Sequence, residues 1–228
     1  MKPNISILLP SLREQVVKAR IKDFEYTNPD FNYEIIVVSP FKVEGNKVIW
    51  IQEHSKSNSV SATRIAYYFS KANYIIYFSD DVIPAIFCLE NIYNFIKQKE
   101  DPFIAAFKMI TSSGKEIGPF GAYDKLYACY GCLSKNTIDK IGGFWPSDFL
   151  YSWADIDMSL RCWEIGGKVE ICQNAVVIPN QIEDEVYKEH RNTFQQDFQV
   201  FLKKWHHKLG RNLPEEIRMI NKRIVSNR

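Results

Sequence analysis

The sequence has no apolar run that approaches the length of a transmembrane helix, which needs about 20 such residues. The apolar run near the start, residues 5–9, is too short for a signal peptide and is soon followed by charged residues. We therefore expect a soluble, cytoplasmic protein that contacts a membrane at most peripherally.

The sequence also has few cysteines and almost no net charge. The five cysteines are an odd number, which fits reduced thiols in the cytosol better than a disulfide framework. Cys129 and Cys132 have the C-x-x-C spacing, but no second ligand pair accompanies them, so we do not predict a zinc site. The 29 basic and 27 acidic residues nearly cancel. We therefore expect no nucleic-acid partner, whereas a small anionic substrate is not excluded.

The chain has 228 residues, 46% of them hydrophobic, which is enough for one substantial domain. We predict strands at residues 5–9, 33–38, 47–51, 73–78, 103–110, 126–133, 168–172 and 175–178. We predict helices at residues 14–26, 60–72, 86–99, 135–141, 154–165 and 189–209. This order indicates an α/β fold with a wound, mostly parallel sheet flanked by helices. We expect one domain over residues 1–180 and a C-terminal helical extension, residues 181–228, packed on it.

One predicted strand ends in two adjacent carboxylates, Asp80 and Asp81. The apolar residues before them are typical of a buried strand, and ligands of open α/β sheets collect at the carboxyl ends of strands. A divalent cation would balance this charge, because Mg²⁺ and similar ions are usually held by one or two carboxylates and by substrate phosphates. The alternative is that both residues begin a turn or cap the helix after Pro84.

A second acidic pair, Asp155 and Asp157, follows an aromatic loop at residues 144–153. The pair lies at the predicted start of a helix, where the helix dipole favours acidic side chains. Local sequence alone therefore favours a capping role for Asp155.

Several segments, in order along the chain, resemble the family-2 type of GT-A glycosyltransferase, from about residue 5 to residue 205. Members of this family are inverting enzymes that move a sugar from a nucleotide-diphosphate donor. The resemblance rests on the opening strand with Pro10 and Ser11 and on residues 33–39, 58–64, 77–81, 141–144, 155–161 and 166–169. It implies the Rossmann-like GT-A fold and sugar transfer to a hydroxyl of a glycan or lipid-linked acceptor, as in polysaccharide biosynthesis.

The resemblance also implies roles for individual residues. Asp155 would be the catalytic base that takes the proton from the acceptor hydroxyl. The donor would be bound by Pro10, Ser11, Leu12, Arg13, Ser39, Arg64, Ser79 and Asp80. The cofactor, Mn²⁺ or Mg²⁺, would be bound by Asp81, Asp80 and His190. The acceptor would be bound by Trp153 and Asp157.

Structural interpretations of these residues stay open beside the functional ones. Arg13 and Arg64 can be solvated surface arginines, and His190 can be a surface histidine without a metal. Trp153 can stack on a sugar or can serve only in packing.

The sequence departs from the family pattern at Ser39, Ser79 and Ala154, where relatives usually carry acids. These departures are what a nucleotide-sugar-binding module that has lost turnover would show. A sugar nucleotidyltransferase is a further alternative, but such enzymes normally have a Gly-rich phosphate loop, which residues 10–13 lack. The basic residues between 203 and 228 are a candidate surface for anionic lipid, and a solvated helix surface is the alternative.

Overall fold

The computed structural model describes residues 2–209, which form eleven strands and six helices. The strands are β1 (Ile5–Leu8), β2 (Tyr33–Ser39), β3 (Val48–Gln52), β4 (Tyr74–Tyr77), β5 (Val82–Pro84), β6 (Phe103–Ile110), β7 (Glu116–Ile117), β8 (Gly121–Ala122), β9 (Lys125–Leu126), β10 (Gly131–Ser134) and β11 (Lys168–Pro179). The helices are α1 (Glu14–Thr27), α2 (Ser59–Phe69), α3 (Cys88–Ile96), α4 (Lys135–Lys140), α5 (Ala154–Glu164) and α6 (Glu185–Leu209). The predicted basic tail beyond residue 209 lies outside the described residues.

The first four strands form a parallel array in the order β3-β2-β1-β4. Their apolar, β-branched sequences suit burial on both faces, and every residue of β1 and β2 is buried. Asn58 caps α2, because its side chain accepts a hydrogen bond from the backbone N–H of Ser61 at 2.8 Å. The predicted order of strands and helices in this half of the chain is present.

The second half adds four strands to the same sheet, in the order β4-β10-β6-β11-β5. β10 pairs antiparallel with β4 and with β6, and β5 pairs antiparallel with β11, whereas β6 and β11 pair with each other in parallel. The strand predicted at residues 126–133 is wrong in extent, because only β10 joins the sheet and β9 pairs with β8 in a separate hairpin. The two strands predicted between residues 168 and 178 are one strand, β11. Its register against β6 shifts between Cys172 and Val176, so a bulge interrupts the apolar pattern without ending the strand.

Helices cover both faces of the sheet, and alternate residues of each strand enter opposite core clusters. In β1, Ile5 and Ile7 pack in the cluster that includes α1 and α3, whereas Leu8 packs in the cluster that includes α2, α4 and α5. A third cluster joins Trp153 to Phe201 of α6, so α6 packs on the loop before α5. None of the helices within residues 2–209 has the length and apolar character needed to cross a bilayer.

The registers of the parallel strands bring their carboxyl ends to one level. Leu8 of β1 aligns with Ile36 of β2 and with Tyr77 of β4, and Ser39 aligns with Gln52 of β3. The residues that follow these strands therefore meet along one edge of the sheet, where ligands of α/β folds usually bind.

Candidate active site

Two cavities lie at this edge of the sheet and share part of their walls. The first, the strand-edge cavity, has a volume of about 270 Å³ and is lined by residues that follow β1 to β4 and by residues near the start of α6. The second, the aromatic cavity, has a volume of about 390 Å³ and lies beside Trp153 and the start of α5. Both are lined by Ser59, Ser79, Tyr130, Tyr151 and His190. A ligand bound in one cavity can therefore reach the other.

Asp80 lies in the wall of the strand-edge cavity with both carboxylate oxygens already bonded. Ser11 Oγ donates to Oδ2 at 2.6 Å, and Arg13 Nη1 donates to Oδ1 at 2.8 Å. Burial raises the pKa of Asp80, and the bonds from Ser11 and Arg13 oppose that shift. A role for Asp80 as a metal or ribose ligand would require these bonds to rearrange, and its observed role is to orient Arg13.

Arg13 is held from its other side by Asp184, which the sequence interpretation missed. Nε and Nη2 of Arg13 donate to the two carboxylate oxygens of Asp184 at 2.7 and 2.8 Å. The hydrogen bonds from Arg13 lower the pKa of Asp184 to about 2. The contacts of Arg13 with Asp184 and with Asp80 raise the pKa of Arg13. Arg13 therefore lines the strand-edge cavity in a fixed orientation between two carboxylates, and its role in donor binding stays a prediction.

Asp81 also lines the strand-edge cavity and has fewer partners than Asp80. The hydroxyl of Ser79 donates to Asp81 Oδ1, and the backbone N–H of Asn180 donates to the Asp81 carbonyl at 2.7 Å. Ser79 therefore orients an acid. Of the two adjacent carboxylates, Asp81 is the one placed to receive a cation.

His190 lines both cavities from α6. Its Nε2 lies 2.9 Å from Ser152 Oγ, its ring is 5.1 Å from that of Tyr151, and burial lowers its pKa. A neutral imidazole of this kind is a competent metal ligand.

The residues at this edge fit a metal ion only together with other ligands. Within residues 2–209, no three His, Cys, Asp or Glu side chains are grouped so that they could hold an ion. Asp81 and His190 both line the strand-edge cavity, whereas Asp80 is bonded to Arg13 and Ser11. This donor set suits Mg²⁺ or Mn²⁺ that keeps few protein ligands and is carried mainly by substrate phosphates.

Asp155 lines the aromatic cavity from the second position of α5, and the N-cap position is occupied by Trp153. Burial raises the pKa of Asp155 to about 7, and the backbone N–H groups of Ile156 and Asp155 oppose that shift. The charge of Asp155 in turn helps to raise the pKa values of Tyr127 and Cys129, after the larger effect of their own burial. A half-buried carboxylate with a pKa near neutrality is suited to exchanging a proton with a ligand.

Trp153 lines the aromatic cavity and also packs against α6. Its ring centroid lies 5.4, 4.8 and 4.9 Å from those of Phe194, Phe198 and Phe201. Its backbone φ of 71° is left-handed, which is strained for an aromatic residue and persists only where the surroundings enforce it. Both predicted roles of Trp153, packing and lining a site, are therefore compatible with its position.

Asp197 of α6 enforces this loop conformation and is a second residue that the sequence interpretation missed. It is fully buried, and its carboxylate accepts hydrogen bonds from the backbone N–H groups of Leu150, Tyr151 and Ser152 at 2.9, 2.8 and 2.8 Å. The sequence feature that could have identified Asp197 is an acidic residue within the apolar stripe of the last helix, three residues after Phe194.

Two predicted ligand-binding residues do not reach either cavity. Asp157 is fully buried and is bonded by Arg161 at 2.9 Å, Lys204 at 2.6 Å and Trp205 Nε1 at 2.9 Å, so it joins α5 to α6 instead of contacting an acceptor. Ser39 is buried, and its hydroxyl donates to the Phe41 carbonyl at 2.7 Å. Because successive strand residues point to opposite faces, the preceding residue, Val38, lines the strand-edge cavity instead.

Arg64, which was predicted to bind the donor, also lines neither cavity. It lines a separate depression of about 470 Å³ together with Arg161 and Lys204. At about 100° per residue, Arg64 lies roughly 140° around the helix from Ser59, which lines both cavities, so its side chain leaves α2 on another face.

Glu53, directly after β3, is a third residue that the sequence interpretation missed. It lines the strand-edge cavity with an exposure of 9%, and its Oε1 accepts hydrogen bonds from Ser57, from the backbone N–H at 2.7 Å and from the hydroxyl. The sequence feature that could have identified Glu53 is the one that identified Asp80, an acidic residue at the end of a predicted strand.

Comparisons with known proteins find similar folds among glycosyltransferase structures. A mannosyltransferase from Pyrobaculum calidifontis in complex with GDP-Man and Mn²⁺ superposes with a TM-score of 0.62 at 13% identity. The match covers 90% of this chain and 65% of that one. S. aureus TarS 1-349 in complex with UDP-GlcNAc superposes with a TM-score of 0.65 at 13% identity, over 82% of this chain and 61% of that one. The chain shares the fold of GT-A glycosyltransferases.

This result confirms the predicted fold class. The chain spans less than two thirds of the length of either of these two structures. A second structure of TarS 1-349 has a TM-score of 0.62 at 10% identity, over 91% of this chain and 73% of that one. No protein-family model matches the sequence, and a search of curated proteins found no match.

Proposed function

We propose that the protein is an inverting glycosyltransferase of the family-2 type that moves a sugar from a nucleotide-diphosphate donor to a hydroxyl of a glycan or lipid-linked acceptor. The observation that carries this proposal is the pair of adjoining cavities, one with Asp81 and Arg13 and the other with Asp155. A donor with its diphosphate in the strand-edge cavity would present its sugar toward the wall shared with the aromatic cavity. An acceptor in the aromatic cavity would then meet that sugar beside Asp155.

The strand-edge cavity is lined by one cation, Arg13, and by the acids Glu53, Asp80 and Asp81, so a diphosphate there would need a bound metal ion beside Arg13. Arg13 is fixed between Asp80 and Asp184 with a side-chain exposure of 13%, so its charge is only partly screened by solvent. Asp81 and His190 are the residues that would hold Mn²⁺ or Mg²⁺. When bound, such a cation acts as a Lewis acid at the phosphate oxygens and stabilises the leaving diphosphate.

Asp155 performs the proton transfer in this proposal. Its carboxylate accepts the proton of the acceptor hydroxyl while that oxygen forms a bond to the anomeric carbon from the face opposite the diphosphate. The bond from the anomeric carbon to the phosphate oxygen breaks, and its electron pair leaves with the nucleoside diphosphate. A pKa of about 7 suits this role, because a general base is most effective when its pKa is near the operating pH.

The structural neighbours support the donor class. The P. calidifontis mannosyltransferase structure holds GDP-Man with Mn²⁺, and the TarS structure holds UDP-GlcNAc. We extend nucleotide-sugar binding and divalent-metal assistance to this chain on that basis.

Two substitutions test the division of labour between the cavities. A thermal-shift screen of nucleotide sugars with Mn²⁺ would first find the donor, because a ligand that binds only the folded state raises the melting temperature. Asp81→Asn should weaken Mn²⁺-dependent donor binding in calorimetric titrations, because a hard-cation site loses an anionic ligand. Asp155→Asn should leave donor binding nearly intact and lower kcat by about 10²- to 10⁴-fold, the usual contribution of a general base.

Asp30→Asn is the matched control, because Asp30 is exposed and lines neither cavity. It should leave both measurements unchanged. Full activity of Asp155→Asn would refute its role as the base, and an unchanged Mn²⁺ requirement in Asp81→Asn would refute the metal site. Donor binding by the unaltered protein without any turnover would favour the inactive module.

A further inference from the structure

Glu53 lies at the end of the strand-edge cavity that is farthest, in strand order, from the acidic pair. The sheet runs β3-β2-β1-β4, Glu53 follows β3, and Asp80 and Asp81 follow β4. Three strand spacings of about 4.8 Å separate β3 from β4, which gives about 14 Å along the edge. The residues near β4 also border the aromatic cavity, because Ser79 and Tyr130 line both. If the diphosphate and sugar lie at the β4 end, the nucleoside must extend toward Glu53.

The surroundings of Glu53 suit one edge of a planar base. Oε1 is occupied by the two hydrogen bonds from Ser57, which fix the carboxylate in one orientation. Among residues 2–209, no side chain or backbone group donates a hydrogen bond to Oε2. Leu12, Val38 and Ala62 supply apolar surface in the same cavity. Because Glu53 lines this cavity, its Oε2 is free to accept hydrogen bonds from a ligand there.

A carboxylate only accepts hydrogen bonds, so it discriminates among the four nucleobases. Guanine offers two adjacent donors, N1–H and the N2 amino group, and no acceptor between them. Uracil offers one N–H between two carbonyl oxygens, so it can donate only one hydrogen bond to the carboxylate. Adenine and cytosine each place a ring nitrogen acceptor beside a single amino group.

We infer that Glu53 binds the donor edge of guanine, so that the donor substrate is a guanosine-diphosphate sugar. This inference rests on the proposed function, because it assumes that a nucleoside diphosphate occupies the strand-edge cavity. It adds the identity of the base and a residue that selects it.

Calorimetric titration with GDP, UDP, ADP and CDP, each with Mn²⁺ present, tests the inference without any assay of turnover. The protein should bind GDP more tightly than the other three by roughly tenfold to a hundredfold, because guanine can donate one more hydrogen bond to the free oxygen of Glu53 than the other bases can. Glu53→Gln should remove that preference by weakening GDP binding alone, because the amide replaces an acceptor with a donor. Gln retains an oxygen for the bonds from Ser57, so the loop should keep its conformation.

Glu44→Gln is the matched control, because Glu44 is exposed and pairs with Lys42 away from the cavity. It should leave all four affinities unchanged. Equal or tighter binding of UDP would overturn the guanine inference and leave the proposed function standing. A uniform loss of all four affinities in Glu53→Gln would also overturn it, because Glu53 would then bind the ribose that the four ligands share. Failure of every nucleoside diphosphate to bind would overturn both.

Discussion

The carboxyl group of Asp155 has opposite effects on stability and on the proposed chemistry. Its surroundings include Tyr127, Tyr130 and Trp153, which offer little solvation to a charge. Burial therefore favours the protonated form and raises the pKa to about 7. The same shift makes Asp155 a stronger base, so the protein should be less stable wherever the base is active.

The pH dependence of stability should show this conflict. The folded pKa of Asp155 is above its unfolded value of about 3.9, so between these values the folded state binds more protons and stability falls as pH rises. Asp155→Asn lacks this dependence. From pH 5 to pH 8, the free energy of unfolding of Asp155→Asn should rise relative to that of the unaltered protein by at most about 3 kcal/mol. This limit follows from 1.36 kcal/mol per pKa unit. Urea unfolding of both proteins at the two pH values measures the difference.

Turnover of the unaltered protein should fall below about pH 7, as Asp155 becomes protonated. A stability difference that is the same at pH 5 and pH 8 would contradict a raised pKa at Asp155. In that case the acid limb of the turnover profile would have to be assigned to another group.

At the residue scale, the sequence predicted acids that adjoin a visible pattern and missed those that depend on contacts over long distances. Asp80, Asp81 and Asp155 follow an apolar strand or begin a helix, so their neighbourhood could be inferred. Asp197 and Asp184 acquire their roles from the loop before α5 and from Arg13, more than 40 and 170 residues away in sequence. Periodicity carries no information about such partners.

At the element scale, α6 is the part of the fold that completes both cavities. Near its start, Asp184 binds Arg13, and farther along His190 lines both cavities. Its buried Asp197 then binds the loop that leads to Asp155. A helix that contacts three parts of the site in this way positions them relative to one another.

Asp197→Asn should reduce turnover by loosening the loop before α5. The amide keeps the size of the side chain but turns one acceptor into a donor, which then faces backbone N–H groups. An unsatisfied buried group costs about 1–3 kcal/mol, and we expect a loss of stability of that order. Below the melting transition, kcat should fall severalfold, because the loop leads to Asp155. Donor affinity should fall less, because the loop reaches the proposed diphosphate site only through Tyr151 and the contact of Ser152 with His190. Steady-state kinetics and donor titration on the same preparation measure both.

Glu185→Gln provides the control for this helix, because Glu185 has a side-chain exposure of 86% and bonds only Lys188 among the residues described. It should change neither quantity. If Asp197→Asn lowers stability but leaves kcat unaltered in the folded protein, Asp197 supports the fold and does not position Asp155.

The element predictions succeeded where hydrophobic periodicity coincided with turn residues. The four parallel strands and α1 are bounded by proline, asparagine or serine, and their limits were predicted to within about two residues. β10 and β11 were predicted less well, because irregular backbone interrupts the pattern near both. The hydroxyl of Tyr77 donates to the carbonyl of Ala128 at 2.7 Å, so the segment before β10 is held by a side chain and not by strand pairing.

At the scale of the whole molecule, the site combines an N-terminal half that would bind the proposed donor with a C-terminal half that carries the proposed base. The parallel strands supply Arg13, Glu53 and Asp81, and the segment around α5 supplies Asp155. Because α6 contacts both halves, we expect residues 181–209 to be part of the folding unit. The boundary predicted at residue 180 has not been tested and stays a prediction.

Two truncations decide whether that boundary separates independent parts. A chain ending at residue 180 would expose the face of Trp153 that packs on α6 and would leave the buried Asp157 without its partners Lys204 and Trp205. Loss of the buried Trp205 alone would cost about 3–5 kcal/mol, and Asp157 would keep its ion pair with Arg161 but lose two further buried contacts. Because the free energy of unfolding is typically about 5–15 kcal/mol in total, the chain ending at residue 180 should not fold cooperatively or bind a nucleoside diphosphate.

A chain ending at residue 209 keeps every contact described above, so it should unfold in one transition and bind the donor as the full chain does. Circular dichroism during urea unfolding, with donor titration of each chain, measures both properties. Cooperative folding of the shorter chain would show instead that α6 is an extension on a domain that is complete without it.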